Sequence, residues 1–298
     1  MAKKLGKRMR QKHVRRQKRY EFQDKSFKYI ALLATAFGIL VLIVLLWDVF
    51  STGLGRFNAD FFLESSSRKA KNAGIYAALG GTLWVMVLTT LIAFPIGIGA
   101  GLYLEEYNAK SRLSNLLEIN ISNLAGIPSI IYGLLGLEIF ARTLMMGDSV
   151  LTGALTLALL ILPIIIVSTR EALKTVPYTL REASLALGAT KWQTIWYQVL
   201  PASIPGIVTG AILAISRAIG ETAPLIVIGA ATYITSVPSS PLEQFTVLPI
   251  QIFYWIGKPQ HDFKVNAAAA ILILLAITFI MNGAAVYLRY RWQKKIKW

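Results

Sequence analysis

The sequence contains no cysteine, so disulfide bonds and thiolate chemistry are excluded. Charged residues make up only 15% of its 298 positions, well below the roughly 25% of soluble domains. The two histidines, His13 and His261, lie far apart and form no metal-binding pattern. No Gly-x-x-x-x-Gly-Lys-Ser/Thr phosphate-binding loop occurs. We therefore expect no catalytic residues, no metal site, no cofactor and no ATP hydrolysis by this chain itself.

Long apolar blocks fill most of the chain, whose mean hydropathy is +0.56. A spanning helix needs about 20 consecutive, mostly apolar residues. Six blocks reach or approach that length, and we expect an all-α integral membrane protein with six transmembrane helices within residues 29–290. Gly126 and Pro128 interrupt the third block. The blocks are Tyr29–Trp47, Ala77–Tyr103, Leu124–Phe140, Leu151–Thr169, Ile204–Tyr233 and Ala267–Tyr290.

The basic residues predict the orientation. Twelve of the 31 Lys and Arg residues lie in the tail 1–28, and the carboxyl-terminal segment 291–298 is also basic. With six spans, the two termini and the second and fourth loops share one side and hold 23 Lys and Arg residues, whereas the other three loops hold 7. The positive-inside rule therefore places both termini in the cytoplasm. The net charge of +16 lies on no soluble basic domain, so we expect contact with anionic membrane lipids and no nucleic-acid binding.

Two charged residues stand inside the fifth block. Arg217 and Glu221 are four positions apart, a spacing that places both side chains on one face of a helix. A charge at the bilayer centre costs roughly 2.5–3.5 kcal/mol, so such residues usually face a cavity or a partner. The pair is either part of a transport path or a structural salt bridge between subunits. Thr222 is the leading hydroxyl candidate beside it.

The cytoplasmic segment 170–201 has its own pattern. Tyr178–Leu187 is amphipathic, Gly188 breaks the helical pattern, and Lys191–Val199 resumes it. This is a helix, a turn and a helix, with apolar faces that water alone does not satisfy. Periodicity leaves two alternatives open, an interfacial helix on the lipid surface and a docking element for a soluble partner.

Six residues of this segment resemble the EAA loop of ABC-importer permeases. Ser184 replaces the second alanine of that motif, and Gln198 stands where an aliphatic residue is usual. The resemblance implies the MetI-like architecture of type I importer permeases and an ATP-binding subunit that receives this loop in a groove. The residues that match or align with the motif are Glu182, Ala183, Ser184, Gly188, Leu200 and Pro201.

Three further stretches are similar to the permeases of phosphate-specific ABC importers. They are Ser216–Leu225, Ala125–Leu134 and Phe245–Gln251, within a likeness that covers about residues 75–290. Ala-Pro after Glu-Thr resembles the A-type permease, PstA, more than its partner PstC. The resemblance implies a role for Arg217 and Glu221 in phosphate translocation and a place in the bacterial inner membrane. The implied partners are a PstC-like permease, two PstB-like subunits that bind the ATP, and a PstS-like phosphate-binding protein.

The chemistry of the charged pair agrees with an anionic substrate. A guanidinium group stays charged and offers a planar fork of donors to phosphate oxygens. Glu221 accepts a hydrogen bond from a protonated phosphate oxygen, and sulfate has no such donor. The alternatives are a permease for another oxyanion such as sulfate or molybdate, a secondary transporter without an ATPase, and a membrane scaffold or sensor subunit.

The largest external loop, Ile234–Val265, contains an apolar segment, Val247–Trp255. We expect this segment to form a short helix at the surface. The loop is one candidate contact for the binding protein.

Overall fold

The structure, a computed structural model, describes residues 2–107, 112–230 and 233–294. These residues are almost entirely helical, with one isolated bridge between Ser149 and Gln244. The residues up to Thr52 form one unit and those from Gly53 onward form a second. Residues 295–298 of the predicted carboxyl-terminal tail lie outside the described residues.

Apart from two short 3₁₀ turns, the described residues form eleven helices. Two of these helices continue into a π-helical turn. The α3 helix continues through Tyr103–Tyr107 and α5 through Leu137–Thr143. The helices are α1 (Ala2–Gly53), α2 (Ala59–Leu63), α3 (Tyr76–Leu102), α4 (Arg112–Ala125), α5 (Ser129–Gly136), α6 (Val150–Lys174), α7 (Tyr178–Ala186), α8 (Lys191–Ile219), α9 (Ala223–Val227), α10 (Leu248–Ile256) and α11 (His261–Gln293).

The predicted membrane fold is confirmed. Five described helices are long and apolar enough to cross a bilayer, and a sixth span results if α4 and α5 count as one. The α4 and α5 axes bend by 100° at the predicted interruption, where α4 ends at Ala125 and α5 begins at Ser129. The Tyr132 hydroxyl donates to the Leu124 carbonyl oxygen at 2.8 Å across this break. Such a bond satisfies a backbone group that lipid cannot.

The core is built where α3, α6 and α8 pack together. Gly97 of α3 lies against Ile165 of α6, and Gly101 lies against Thr169 one turn on. A Cβ atom at Gly101 would approach the Thr169 Cβ to 2.8 Å, so the two helix backbones come closer than larger residues permit. Gly99, between them, faces open space.

The prediction of an unbroken fifth helix through Tyr233 is wrong. The α8 helix starts at Lys191, in the loop between the predicted fourth and fifth spans, and ends at Ile219, with Gly220 as its carboxyl-terminal cap. Pro224 gives the physical reason, since its ring lacks an N–H group and clashes with the carbonyl four residues earlier in a continuous helix. Proline is tolerated in a first helical turn, and α9 begins around Pro224.

The apolar helix predicted at the external surface is present, but its predicted exposure is wrong. In α10, Leu248, Ile250 and Trp255 are buried. The Leu248 N–H donates to Thr82 Oγ1 at 2.9 Å, and the buried Gln251 accepts from a serine hydroxyl at 2.8 Å. The α10 sequence is apolar around most of its circumference, so it packs as a core helix rather than as an amphipathic one.

The glycine contacts between α3 and α6 give a matched pair of variants. Gly101→Ala is expected to destabilise the protein by about 1–3 kcal/mol, because the new methyl group overpacks against Thr169. Gly99→Ala meets no atom and is expected to be neutral, or to stabilise by up to about 1 kcal/mol as alanine replaces glycine in a helix. Thermal unfolding of the two purified variants checks this. Equal unfolding temperatures would contradict the packing described.

Candidate functional site

The charged pair lies at the end of α8 and just beyond it. Arg217 is in the last turn, Glu221 follows the Gly220 cap, and Arg217 Nε lies 3.7 Å from Glu221 Oε1. The two side chains are therefore close, as predicted, although they do not share a continuous helix. The Arg217 side chain is 47% exposed and that of Glu221 is 17% exposed. Thr222 is half-buried beside them.

The pair leaves the guanidinium available to an anion. A charge-assisted hydrogen bond measures about 2.7–2.9 Å, so the 3.7 Å separation is an ion pair without a direct hydrogen bond. Among the described residues, the structure shows no protein acceptor hydrogen-bonded to Arg217. A half-exposed cation with uncommitted donors in an apolar helix can attract and orient an oxyanion.

The break after α8 lies against the helix that follows the break after α4. Gly133 of α5 contacts Pro224 of α9, and a Cβ atom at Gly133 would come within 2.7 Å of the Pro224 Cα. Gly136, one turn on, packs against Thr156 of α6. The stretches 125–134 and 216–225, separated by about 90 positions in the sequence, thus meet in space. Gly133 permits the close contact that fixes the segment carrying Glu221 and Thr222.

The loop 170–201, predicted to be cytoplasmic, has the predicted helix, turn and helix. Pro177 precedes α7, and Gly188 forms the turn with φ +87°, a conformation that favours glycine. Thr190 begins α8 with a capping box, in which its hydroxyl accepts from the Gln193 N–H while the Gln193 side chain accepts from the Thr190 N–H. The loop geometry is therefore fixed at the turn and at the start of the second helix.

The motif residues of this loop form an accessible surface. Glu182, Ala183, Gly188 and Pro201 are exposed, and Leu200 is half-buried. Apolar side chains surround them, among which Leu187 is 90% exposed. An exposed apolar surface of this kind fits contact with a protein partner or with the membrane surface. The exposed aromatic residues of the loop are Tyr178, Trp192, Trp196 and Tyr197. The indole rings of Trp192 and Trp196 stack on each other.

Ser184, which departs from the motif alanine, has a structural role. Its hydroxyl lies 2.9 Å from the hydroxyl of the buried Thr194, so a hydrogen bond joins α7 to α8 across the turn. An alanine could not make this bond. The departure is therefore matched by a partner elsewhere in the loop.

Sequence reasoning missed the ion pairs behind the loop. Arg181 of α7 binds Glu106 after α3, with an Nη2–Oε1 distance of 2.6 Å, and Arg170 of α6 binds Glu105 and Glu118. In the sequence these residues are only charges near span ends. A separation of 75 positions between Arg181 and Glu106 gives no local signal of their pairing.

Comparison with known proteins identifies the family. Residues 93–294 match the family described as "Binding-protein-dependent transport system inner membrane component". The chain belongs to this family. It is thus a multi-pass inner membrane protein and a transport permease.

Three relatives match over most of their length. The chain is 34% identical to "Phosphate transport system permease protein PstA 1" of Mycobacterium tuberculosis (strain CDC 1551 / Oshkosh), over 85% of this chain and 84% of the relative. It is 33% identical to "Phosphate transport system permease protein PstA" of Yersinia pestis, with 90% and 91% covered. It is 30% identical to "Probable ABC transporter permease protein YqgI" of Bacillus subtilis (strain 168), with 89% and 94% covered.

Solved structures agree on the architecture. The fold is similar to a chain of the inward-facing MetNI methionine ABC transporter, with a TM-score of 0.56, 21% identity, and 74% of this chain and 94% of that chain covered. It is also similar to a chain of a bacterial ABC transporter involved in alginate import, with a TM-score of 0.60, 16% identity, and 91% and 97% covered. The predicted MetI-like importer fold is confirmed.

Proposed function

We propose that this chain is the PstA-type permease subunit of an ATP-driven ABC importer of inorganic phosphate. The observation that carries the proposal is the similarity, over about nine-tenths of the chain, to permeases named for phosphate transport systems. The chain is a non-catalytic subunit in this account. It needs no cofactor, since partner subunits bind and hydrolyse the ATP.

The substrate path passes the end of α8. Arg217 attracts the phosphate anion, and Glu221 balances the arginine charge when the path is empty, which lowers the cost of placing either charge in an apolar phase. With phosphate present, Glu221 accepts a hydrogen bond from a protonated phosphate oxygen, and Thr222 offers a hydroxyl beside it. The half-exposure of Arg217 supports this role, because its donors are accessible from one side of the subunit.

Two exposed surfaces suggest where the partners bind, one at Arg217 and the other at the loop that carries α7. A PstC-like permease completes the path opposite Arg217, and two PstB-like ATP-binding subunits dock on the cytoplasmic side, one of them at the loop of Glu182, Ala183, Ser184 and Gly188. The exposed apolar residues around that loop support docking to protein. A PstS-like binding protein delivers phosphate from outside. The basic tail 1–28 lies in the cytoplasm against anionic lipid, and both termini share that side.

The first test is ATP-dependent phosphate uptake by the assembled complex with Arg217→Gln. Uptake is expected to fall about ten- to hundredfold, because a hydrogen bond to a charged group is worth about 1.5–3 kcal/mol. Arg142→Gln is the matched control, since Arg142 is an exposed arginine that pairs at i,i+4 with Glu138. Normal uptake by an Arg217→Gln complex would contradict the proposed path.

Glu221→Gln tests the selectivity argument. The amide is expected to lower phosphate uptake and to reduce the preference for phosphate over sulfate, because the acceptor that distinguishes the two anions is weakened. Competition of labelled phosphate with sulfate measures the preference. An unchanged preference would remove Glu221 from substrate selection.

A glycine pair tests the docking loop. Gly188→Ala strains a left-handed turn by about 1–2 kcal/mol and is expected to reduce the amount of ATP-binding subunit recovered with the purified complex. Gly147, on the loop before α6, also has positive φ with open space around it, so Gly147→Ala carries a similar strain far from α7. Equal recovery of the ATP-binding subunit with both variants would separate Gly188 from docking.

A further inference from the structure

The docking helix α7 is held to the rest of the protein in an unusual way. None of its residues is fully buried, and its apolar contact with the protein is made by the half-buried Leu180 against Leu173, Val176 and Val199. A cavity of about 740 Å³ lies beside it, and Pro177, Arg181 and Leu185 of the loop contribute to its lining. With so little apolar contact, polar contacts have a large share in defining where α7 sits relative to the membrane helices.

Arg181 supplies such contacts. Its Nη2 lies 2.6 Å from Glu106 Oε1 and its Nε lies 3.1 Å from the same oxygen. The guanidinium also donates to two backbone carbonyls at the end of α6, from Nη1 to Val176 at 2.7 Å and from Nη2 to Leu173 at 3.1 Å. Only 14% of the Arg181 side chain and 8% of the Glu106 side chain are exposed. A single side chain thus connects α7 to two membrane helices.

A second arginine binds the π-helical turn that carries Glu106. Arg170, which is 9% exposed, lies 3.3 Å from Glu105 through Nε and 3.0 Å from Glu118 through Nη1, with a further Nη2 contact to Glu118 at 3.1 Å. Glu105 and Glu106 are neighbours on the π-helical turn that ends α3. Glu105 is therefore tied through Arg170 to α6 and α4, and Glu106 is left to bind Arg181 of α7.

We propose that the Arg181–Glu106 pair is the joint through which movement of the docking helix is transmitted to α3 and α6. Arg181 and Glu106 are positioning residues, which act on transport by holding α7 and not by touching phosphate. The buried, multiply hydrogen-bonded geometry makes the joint stiff, since a guanidinium fork fixes direction as well as distance. This inference rests on the proposed function, in which α7 receives the movement of an ATP-binding subunit.

The test is a charge exchange in the assembled complex. Arg181→Glu and Glu106→Arg are expected to lower the phosphate transported per ATP hydrolysed by about tenfold or more, because like charges then face each other in a partly buried site. The double exchange restores opposite charges and is expected to recover part of that ratio, since a glutamate at position 181 cannot donate to the Leu173 and Val176 carbonyls. Glu138→Arg with Arg142→Glu is the control, since this ion pair is exposed and far from α7. Arg181→Lys keeps the charge but loses the fork, and an intermediate ratio is expected.

The ratio of phosphate transported to ATP hydrolysed distinguishes a positioning role of the pair from a role in folding alone. A purely structural role would reduce uptake and ATP hydrolysis in proportion to the amount of intact complex, so the ratio would not change, and that result would overturn the proposal. A double exchange no better than the worse single variant would also overturn it, because the two residues would then act independently.

A distance measurement tests the joint without reference to phosphate. The chain has no native cysteine, so in a complex with cysteine-free partner subunits spin labels at Ala186→Cys on α7 and Gly99→Cys on α3 report the separation of these helices. The distance distribution in the assembled complex is expected to broaden with Arg181→Glu and to narrow again with the exchange. An unchanged distribution would overturn the joint. Absence of phosphate uptake by the unaltered complex would instead refute the phosphate assignment and leave this measurement as the test of the joint.

Discussion

The backbone of a membrane helix must satisfy its own polar groups, and the rest of this structure depends on how the chain breaks that pattern in two places. Lipid offers no hydrogen bonds, so irregular backbone is tolerated only against protein or water. Here the two breaks, after Ala125 and after Ile219, are brought together by the contact of Gly133 with Pro224. The segments at the two breaks pack against each other, and Arg217, in the last turn before the second break, is half-exposed.

The loop that carries α7 is organised by a different interaction. The membrane helices are fixed by apolar contact, with glycine positions that let α3 and α6 approach closely. The α7 helix has no fully buried residue, and the guanidinium fork of Arg181 ties it to α3 and α6. A closely packed helix bundle moves as a rigid body. In the proposed function α7 docks to a partner, so its apolar surface has to stay exposed for that partner.

Sequence alone predicted what depends on local signals. Apolar block length identified the spans, and the Gly126 and Pro128 interruption marked the first break. Pro224 is the same kind of signal for the second break, but the prediction of one span over 204–233 rests on apolar length alone and does not use it. The burial of Trp255 and the pairing of Arg181 with Glu106 depend on residues far away in the sequence, and no periodicity reveals them. The relatives, not the geometry, distinguish phosphate from other anions.

Thiol accessibility tests most directly whether the break after α8 opens onto the anion path. Thr222→Cys would be the sole thiol of a chain without native cysteine. In nanodiscs that contain the assembled complex, an anionic, membrane-impermeant methanethiosulfonate is predicted to modify Cys at this position, and phosphate is predicted to slow the reaction. Leu242→Cys, in the exposed external loop, should react at a rate that phosphate does not change. No reaction at position 222, or a rate indifferent to phosphate, would contradict the account.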